Sequence, residues 1–545
     1  MSSVLRTLSF LTATWLLWKF IRWLFSEDPL RGIPGPPSKS FLTGNLGRYF
    51  NRYGSEFQRD VALNYGPVVR LSGPFGSSAL YVADPLALQA MFVKDQALYD
   101  QWDGILRGFA LVIGPSLLGT QGEHHRRQRK LLNPAFSTNS LRTMLPAMYE
   151  TMHKLCDAVG SRIGAQPQEV DILHWLGRAS LQMIGKGGMA HSLDSLVEER
   201  PNKCAIAVKS LLAAMLELSW LQYLLPIFSP LAPPAIWRKV LDMAPYRPMR
   251  NMLDIMDTLD SMAKEIFNAN KSRLQGEATN LSDCDYEHQG IIGTLMKAHL
   301  EASEDAKVPE EEAVAQIVTF MFAGMETTSN TTGKILEYLA HRKDLQEKLR
   351  SEILEASNGE DLPYDTLMQL PLLNGVYREH LRLDPIAPLA MRDALADAVL
   401  PLSKPVRGID GTLLRELPIA KGTKIIIGVL GSNTNKDVWG DDTLEFKPER
   451  WLSKEFSTTS DEDISVPGIY ANLMTFAGGP RSCIGFKYAE LQIKASLAVL
   501  LTRFSFTPSQ KHIFWNVANA IYPTVGKDSN YMELPLIVQR LEGKT

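Results

Sequence analysis

The chain has 545 residues, 45% of them hydrophobic, and a formal net charge of −3 at pH 7. That balance gives no basis for nucleic-acid binding. The four cysteines, Cys156, Cys204, Cys284 and Cys483, are too scattered for a disulfide framework and fit a reducing, cytosol-facing compartment.

Residues 5–25 are apolar apart from Arg6, Lys19, Arg22 and a few hydroxyls. As a helix they would cover about 31 Å, one hydrocarbon core. Trp15, Trp18 and Trp23 suit an interface, and Lys19 and Arg22 can snorkel to headgroups. Basic residues favour the C-terminal flank, and no small-x-small cleavage site follows. A retained anchor is therefore expected over residues 1–27, with the rest of the chain on the cytoplasmic side. Ile33-Pro-Gly-Pro-Pro37 reads as a stiff hinge within residues 28–45. Nothing after it divides the chain: there is no linker, repeat or low-complexity tract, so residues 46–545 are expected to form one body.

Short strands are expected near residues 68–71 and 79–82, helices over most of 84–385, and strands again near 389–394, 424–427 and 532–538. The fold class is mainly α with a small β region. In Gly122-Glu-His-His-Arg-Arg-Gln-Arg-Lys-Leu-Leu-Asn-Pro134, His125 and Arg129 share one helical face. Arg126, Arg127 and Lys130 read as a solvated face suited to an acidic partner. His124 and His125 are adjacent and lack a second ligand pair, which argues against zinc. Residues 160–250 carry no signature. Their apolar runs at 211–225 and 231–235 fit an access lid, a membrane-dipping segment or a core helix equally well.

A long helix is expected from Pro309-Glu-Glu-Glu312, with acids in its first turn. Residues 317–322 are apolar on nearly every face, so the helix should be buried there. Ala323-Gly-Met-Glu-Thr-Thr328 then breaks local rules, with Gly324 alone costing about 1 kcal/mol. Such violations concentrate at functional sites. The local reading of Thr327 is a hydroxyl bonded to a carbonyl one turn back. Glu379-His-Leu-Arg382 places opposite charges one helical turn apart, where they can pair.

The most informative stretch is Phe476-Ala-Gly-Gly-Pro-Arg-Ser-Cys-Ile-Gly485. Gly478, Gly479 and Gly485 leave room for a flat group near the backbone. Arg481 offers a fork that suits a carboxylate. From Phe486 onward Ala489, Ile493, Leu497, Leu500 and Leu501 recur at helical spacing, so Cys483 lies near the start of an amphipathic helix, where the macrodipole favours the thiolate.

This run resembles the F-x-x-G-x-R-x-C-x-G haem signature of the cytochrome P-450 monooxygenases, with Phe476, Gly479, Arg481, Cys483 and Gly485 in place. Glu379-x-x-Arg382, Phe446-Lys-Pro-Glu-Arg-Trp451 and the Ala323–Thr328 run resemble further family motifs, and the proline-rich segment is similar to the hinge of microsomal members. The resemblance covers residues 40–545. It implies one large catalytic domain of the cytochrome P-450 fold behind an N-terminal membrane helix. It implies haem with Cys483 as the axial iron ligand, donating electron density that favours O–O cleavage. It implies His125 (where many members have tryptophan), Arg129, Arg392 and Arg481 at the propionates, and a structural network of Glu379, Arg382 and Arg450. A widened helix groove would take dioxygen, Thr327 would hydrogen-bond there, and Glu326 would pass protons.

The expected activity is insertion of one atom of O2 into a lipophilic molecule, in fungal-like secondary metabolism such as that of terpenoids or polyketides. No G-x-G-x-x-G follows a strand, so electrons would come from NADPH through a separate flavoprotein reductase. The expected location is the endoplasmic reticulum membrane, single-pass. A haem-thiolate isomerase or dehydratase and a non-catalytic haem protein are the alternatives. By analogy, substrate contacts would come from residues 106–118, 320–323, 386–391 and 520–522.

Overall fold

The computed structural model describes residue 14 and residues 28–164, 166–197, 203–276, 290–300, 307–452, 465–517 and 520–541. The expected anchor at residues 1–27 lies outside them, Thr14 excepted. Among the described residues, no helix is long and apolar enough to cross a membrane.

Helix Glu310–His341 is the axis of the molecule. Pro309 precedes it with φ −59° and ψ 148°, and Glu310, Glu311 and Glu312 oppose the macrodipole in its first turn. It packs against helices Ile172–Met183, Lys203–Glu217, Arg247–Gly276 and Phe486–Arg503. The expectation that residues 317–322 are largely buried is met at Ile317, Phe320 and Met321. Phe486–Arg503 was expected to be amphipathic and is buried on nearly every face instead, including Gln492 and Lys494. Its one buried ammonium is satisfied locally: Lys494 pairs with Glu490 at 2.8 Å and donates to the Met368 carbonyl at 3.1 Å.

The main sheet has five strands in the order Val68–Ser72, Ser78–Val82, Lys424–Gly428, Leu389–Ala394, Tyr99–Asp100. Four of these lie where strands were expected, near residues 68–71, 79–82, 389–394 and 424–427. Tyr99–Asp100 was not foreseen, because two residues carry no periodicity. It exists by pairing with a distant strand, Asp100 opposite Asp393 and Tyr99 opposite Ala394. The strand expected at 532–538 begins later, as Pro535–Arg540.

The proline-rich segment is docked rather than free. Ile33 is buried in the same cluster as Val68 and Leu80. The Arg70 backbone amide donates to the Pro34 carbonyl at 2.9 Å, and the Asn45 side-chain Nδ2 donates to the Pro36 carbonyl at 2.8 Å. A Cβ on Gly35 would stand 1.9 Å from the Arg70 carbonyl oxygen, so the segment lies flat against the sheet edge.

Candidate functional site: a thiol, a cationic cradle and a buried ion network

The Glu379 network is the most complete part of the site. Both Glu379 and Arg382 are fully buried on helix Pro371–Leu383, in a double hydrogen bond of 2.8 and 2.9 Å. Arg382 also reaches the carbonyls of Asn433 at 3.3 Å and Glu445 at 3.2 Å. Glu379 accepts from the Trp451 indole at 2.9 Å and the Lys447 amide at 3.0 Å, with Arg450 Nε 3.6 Å away. Arg450 itself pairs with Asp442 at 3.0 Å. Sequence reading missed Trp451 as a partner of Glu379, although it stands in the same motif as Arg450. It also missed Asn433, which accepts from the Met474 amide at 2.8 Å and donates to Thr475 at 2.8 Å. That link ties the ion network to the chain entering the Cys483 loop.

The Cys483 amide donates to the Phe476 carbonyl at 2.9 Å, closing the loop, and helix Phe486–Arg503 follows from Gly485. The sulfur is free and open to an internal gap. Surrounding protein pushes the thiol up by desolvation, while the Gly485 amide and the Arg129 charge pull it down. The helix start acts in the expected direction through the Gly485 amide, but burial outweighs it. A metal would have to supply the remaining charge.

The glycines also have a second reason. Gly479 has φ +65°, and a Cβ there would stand 2.4 Å from the Phe92 carbonyl oxygen. At Gly478 a Cβ would meet the Pro467 carbonyl oxygen at 1.8 Å. Protein backbone by itself forbids side chains at these two positions. At Gly485 the nearest neighbour, Phe136, would sit at an ordinary 3.7 Å. Phe136 in turn packs on Phe320 with ring centroids 5.5 Å apart, so one ring joins the Cys483 loop to the central helix.

His125, Arg129, Arg392 and Arg481 line one cavity of about 510 Å³, together with Asp100. His125 is buried and its pKa falls to about 4 through desolvation, with the Arg481 and Arg129 charges adding to the effect, so it is neutral near pH 7. Arg392 is also buried and drops to about 10 for the same reason, with Arg481 repelling it. Arg129 is held by the Ser482 hydroxyl at 3.1 Å and by its carbonyl. The solvated reading of the neighbouring helix face holds in part: Arg126 pairs with Glu123 at the surface, while Arg127 and His124 both reach the buried Glu312, at 3.2 and 2.9 Å.

Thr327 and Glu326 are not brought together. On the central helix Ala323 is exposed and Thr327 partly so, among buried neighbours, which marks an internal recess. The Thr327 hydroxyl donates to the Ala323 carbonyl at 2.7 Å, the local bond expected of an isolated helical threonine. Glu326 points instead into a cleft of about 120 Å³ shared with Lys209, Asn330 and Met532. Neither of its oxygens has a hydrogen-bond partner among the described residues, and burial raises its pKa to about 8 against the pull of Lys209. Gly324 does not open the groove, because a Cβ there would rest 3.5 Å from Ile184. The helix runs without interruption through this segment.

These residues form one free thiol and a cavity whose inner lining holds three guanidinium groups, one imidazole and the Asp100 carboxylate, with Glu123, Arg126 and Lys130 at its exposed rim. That donor set fits a metal-centred dicarboxylate macrocycle. The cytochrome P450 family model matches residues 34–521. The chain belongs to the cytochrome P450 family. It is 46% identical over 524 residues to cytochrome P450 monooxygenase 81 of Postia placenta, covering 96% of this chain and 95% of that relative. It is 42% identical over 544 residues to cytochrome P450 monooxygenase 91 of the same fungus, covering 99% and 100%. A ganoderic acid synthetase of Ganoderma lucidum is 41% identical over 535 residues, 97% of each chain. This P450 is accordingly a haem enzyme with a cysteine-thiolate ligand and a monooxygenase.

Proposed function

We propose that this P450 oxygenates a lipophilic terpenoid-like molecule, with Cys483 as the iron ligand and His125, Arg129, Arg392 and Arg481 as the propionate partners. Phe476, Gly479 and Gly485 shape the ligand loop. Haem, once bound, supplies the activation of dioxygen and its transfer to substrate. The protein's part is to hold the thiol inside a dry loop, to neutralise the propionates and to place a proton donor one residue from Thr327. Glu326, largely protonated near pH 7, can give up a proton at its carboxyl oxygen and regain one through its own cleft. Thr327 presents its hydroxyl at the recess.

The observation that carries the substrate class is an apolar cluster above that recess. Leu212, Ala520 and Tyr522 are buried together, with Phe322 and Ile386 packed against them. Phe109 reaches Phe322 with centroids 6.3 Å apart. Four segments distant in sequence thus bring apolar side chains together around Phe322. The ganoderic acid synthetase relative supports a terpenoid over a fatty acid.

The remaining parts of the reading concern setting. Trp220, Ile227, Phe228, Leu231, Ile236, Val240 and Met243 expose large apolar surface between residues 220 and 243. Such surface suits contact with a bilayer. Together with the apolar residues 5–25, it supports a single-pass endoplasmic reticulum protein facing the cytosol, reduced by an NADPH-dependent flavoprotein. Cells expressing the full chain with such a reductase, fed a panel of triterpenoids, fatty acids and aromatic polyketides, should yield an oxygenated triterpenoid. Conversion of fatty acids alone would contradict the substrate class.

A further inference from the structure

Among the described residues, Asp100 is the only carboxylate lining the cradle cavity apart from Glu123 at its rim, which is paired with Arg126 in solvent. Its place is fixed by the sheet. The strand Tyr99–Asp100 pairs with Leu389–Ala394, setting Asp100 opposite Asp393 and next to Arg392 in the partner strand. The Trp102 indole donates to the Arg392 carbonyl at 2.7 Å and holds the two segments together. Arg481 donates from Nε at 3.0 Å and from Nη2 at 3.2 Å to the two Asp100 oxygens, a forked contact. Both side chains are mostly buried, at 13% and 17% exposure, so their charges are weakly screened.

The charge count gives this pair its meaning. Arg129, Arg392 and Arg481 each carry a positive charge, and His125 is neutral. The guanidinium groups repel one another through the cavity, as the lowering of Arg129 and Arg392 by Arg481 records. Asp100 offsets one of these three inner charges, while Glu123, Arg126 and Lys130 line the same cavity at its exposed rim.

We propose that Asp100 is a positioning residue for the cofactor: it holds the Arg481 fork in the cradle and lowers the positive charge there. The proposal rests on the haem reading above. A negative charge in the cradle would favour the oxidised form of a haem held there, since reduction would add an electron to the same region. Removing it makes reduction easier.

The test is spectroelectrochemical titration of the haem-loaded full chain. Asp100→Asn should shift the midpoint potential to a more positive value than wild type, and Asp100→Glu, which keeps charge and acceptors, should stay near wild type. Asp103→Asn is the control: Asp103 pairs with Arg107 outside the cradle, and its loss should leave the potential unchanged. An unchanged or more negative potential in Asp100→Asn overturns the proposal. If Asp100→Asn does not retain haem, occupancy in Asp100→Glu decides: restored occupancy supports the proposal, and loss in both variants overturns it. A wild-type chain that takes up no haem defeats the underlying reading, not the role of Asp100 alone.

Discussion

Glu379→Ala is expected to cost about 3–5 kcal/mol of stability, the range for breaking a buried ion pair from one side. The carboxylate is fully buried and answers an arginine, an indole and a backbone amide at once. Its removal strands the Arg382 charge in the interior with only carbonyls and the Thr443 side chain to face. Because Asn433 links this centre to Met474 and Thr475, the damage should spread to the loop that carries Cys483. The measurement is soluble haem-loaded yield together with denaturant unfolding. Arg450→Ala should be milder, since Arg450 stands 3.6 Å from Glu379 and takes part of its support from Asp442. A loss below about 1 kcal/mol for Glu379→Ala, the scale of an exposed pair, would contradict the account.

Glu326→Gln is expected to separate catalysis from stability. Loss of a general acid typically lowers a rate by about 10²–10⁴-fold, so product formation should fall by at least the lower figure while substrate binding stays near wild type. Stability should move the other way. The folded-state pKa is raised to about 8 from 4.5, so the neutral acid is fully tolerated below pH 4.5 and its contribution declines as pH rises toward 8. Glutamine has no charge to bury. The variant should therefore gain on wild type across that window, by at most about 1.4 kcal/mol per pH unit. Thermal unfolding at pH 5 and pH 8 reads this directly. Equal stability differences at the two pH values would show that Glu326 is not held neutral.

The contrast between what the sequence revealed and what it hid follows from the range of the interactions. Leu389–Ala394 was legible to the residue, although its buried Arg392 and Asp393 interrupt the apolar pattern that a central strand usually carries. The hairpin of Ala398–Arg407 and Leu413–Ile419 was not, since Pro401 and Pro405 argue against a strand and are accommodated there beside a register shift. The Glu379–Arg382 pair could be read because its partners are one helical turn apart. Asp100 could not, because its significance arises from pairing with residues 392–394 and 481, and nothing near Tyr99 in the chain announces it. The Cys483 loop was recognised by its motif, yet a second reason for its glycines at two positions was hidden. Their neighbours, Phe92 and Pro467, became visible only in three dimensions. Glu326 and Thr327 look like a unit in sequence, but consecutive helical residues point about 100° apart.

The central claim is that Cys483 supplies the sulfur ligand of a haem seated in this cradle. Reduced protein exposed to carbon monoxide tests it most directly. Wild type should show the red-shifted thiolate band, and Cys483→Ala, purified and supplied with haem, should lack it. Persistence of that band in the alanine variant would contradict the account.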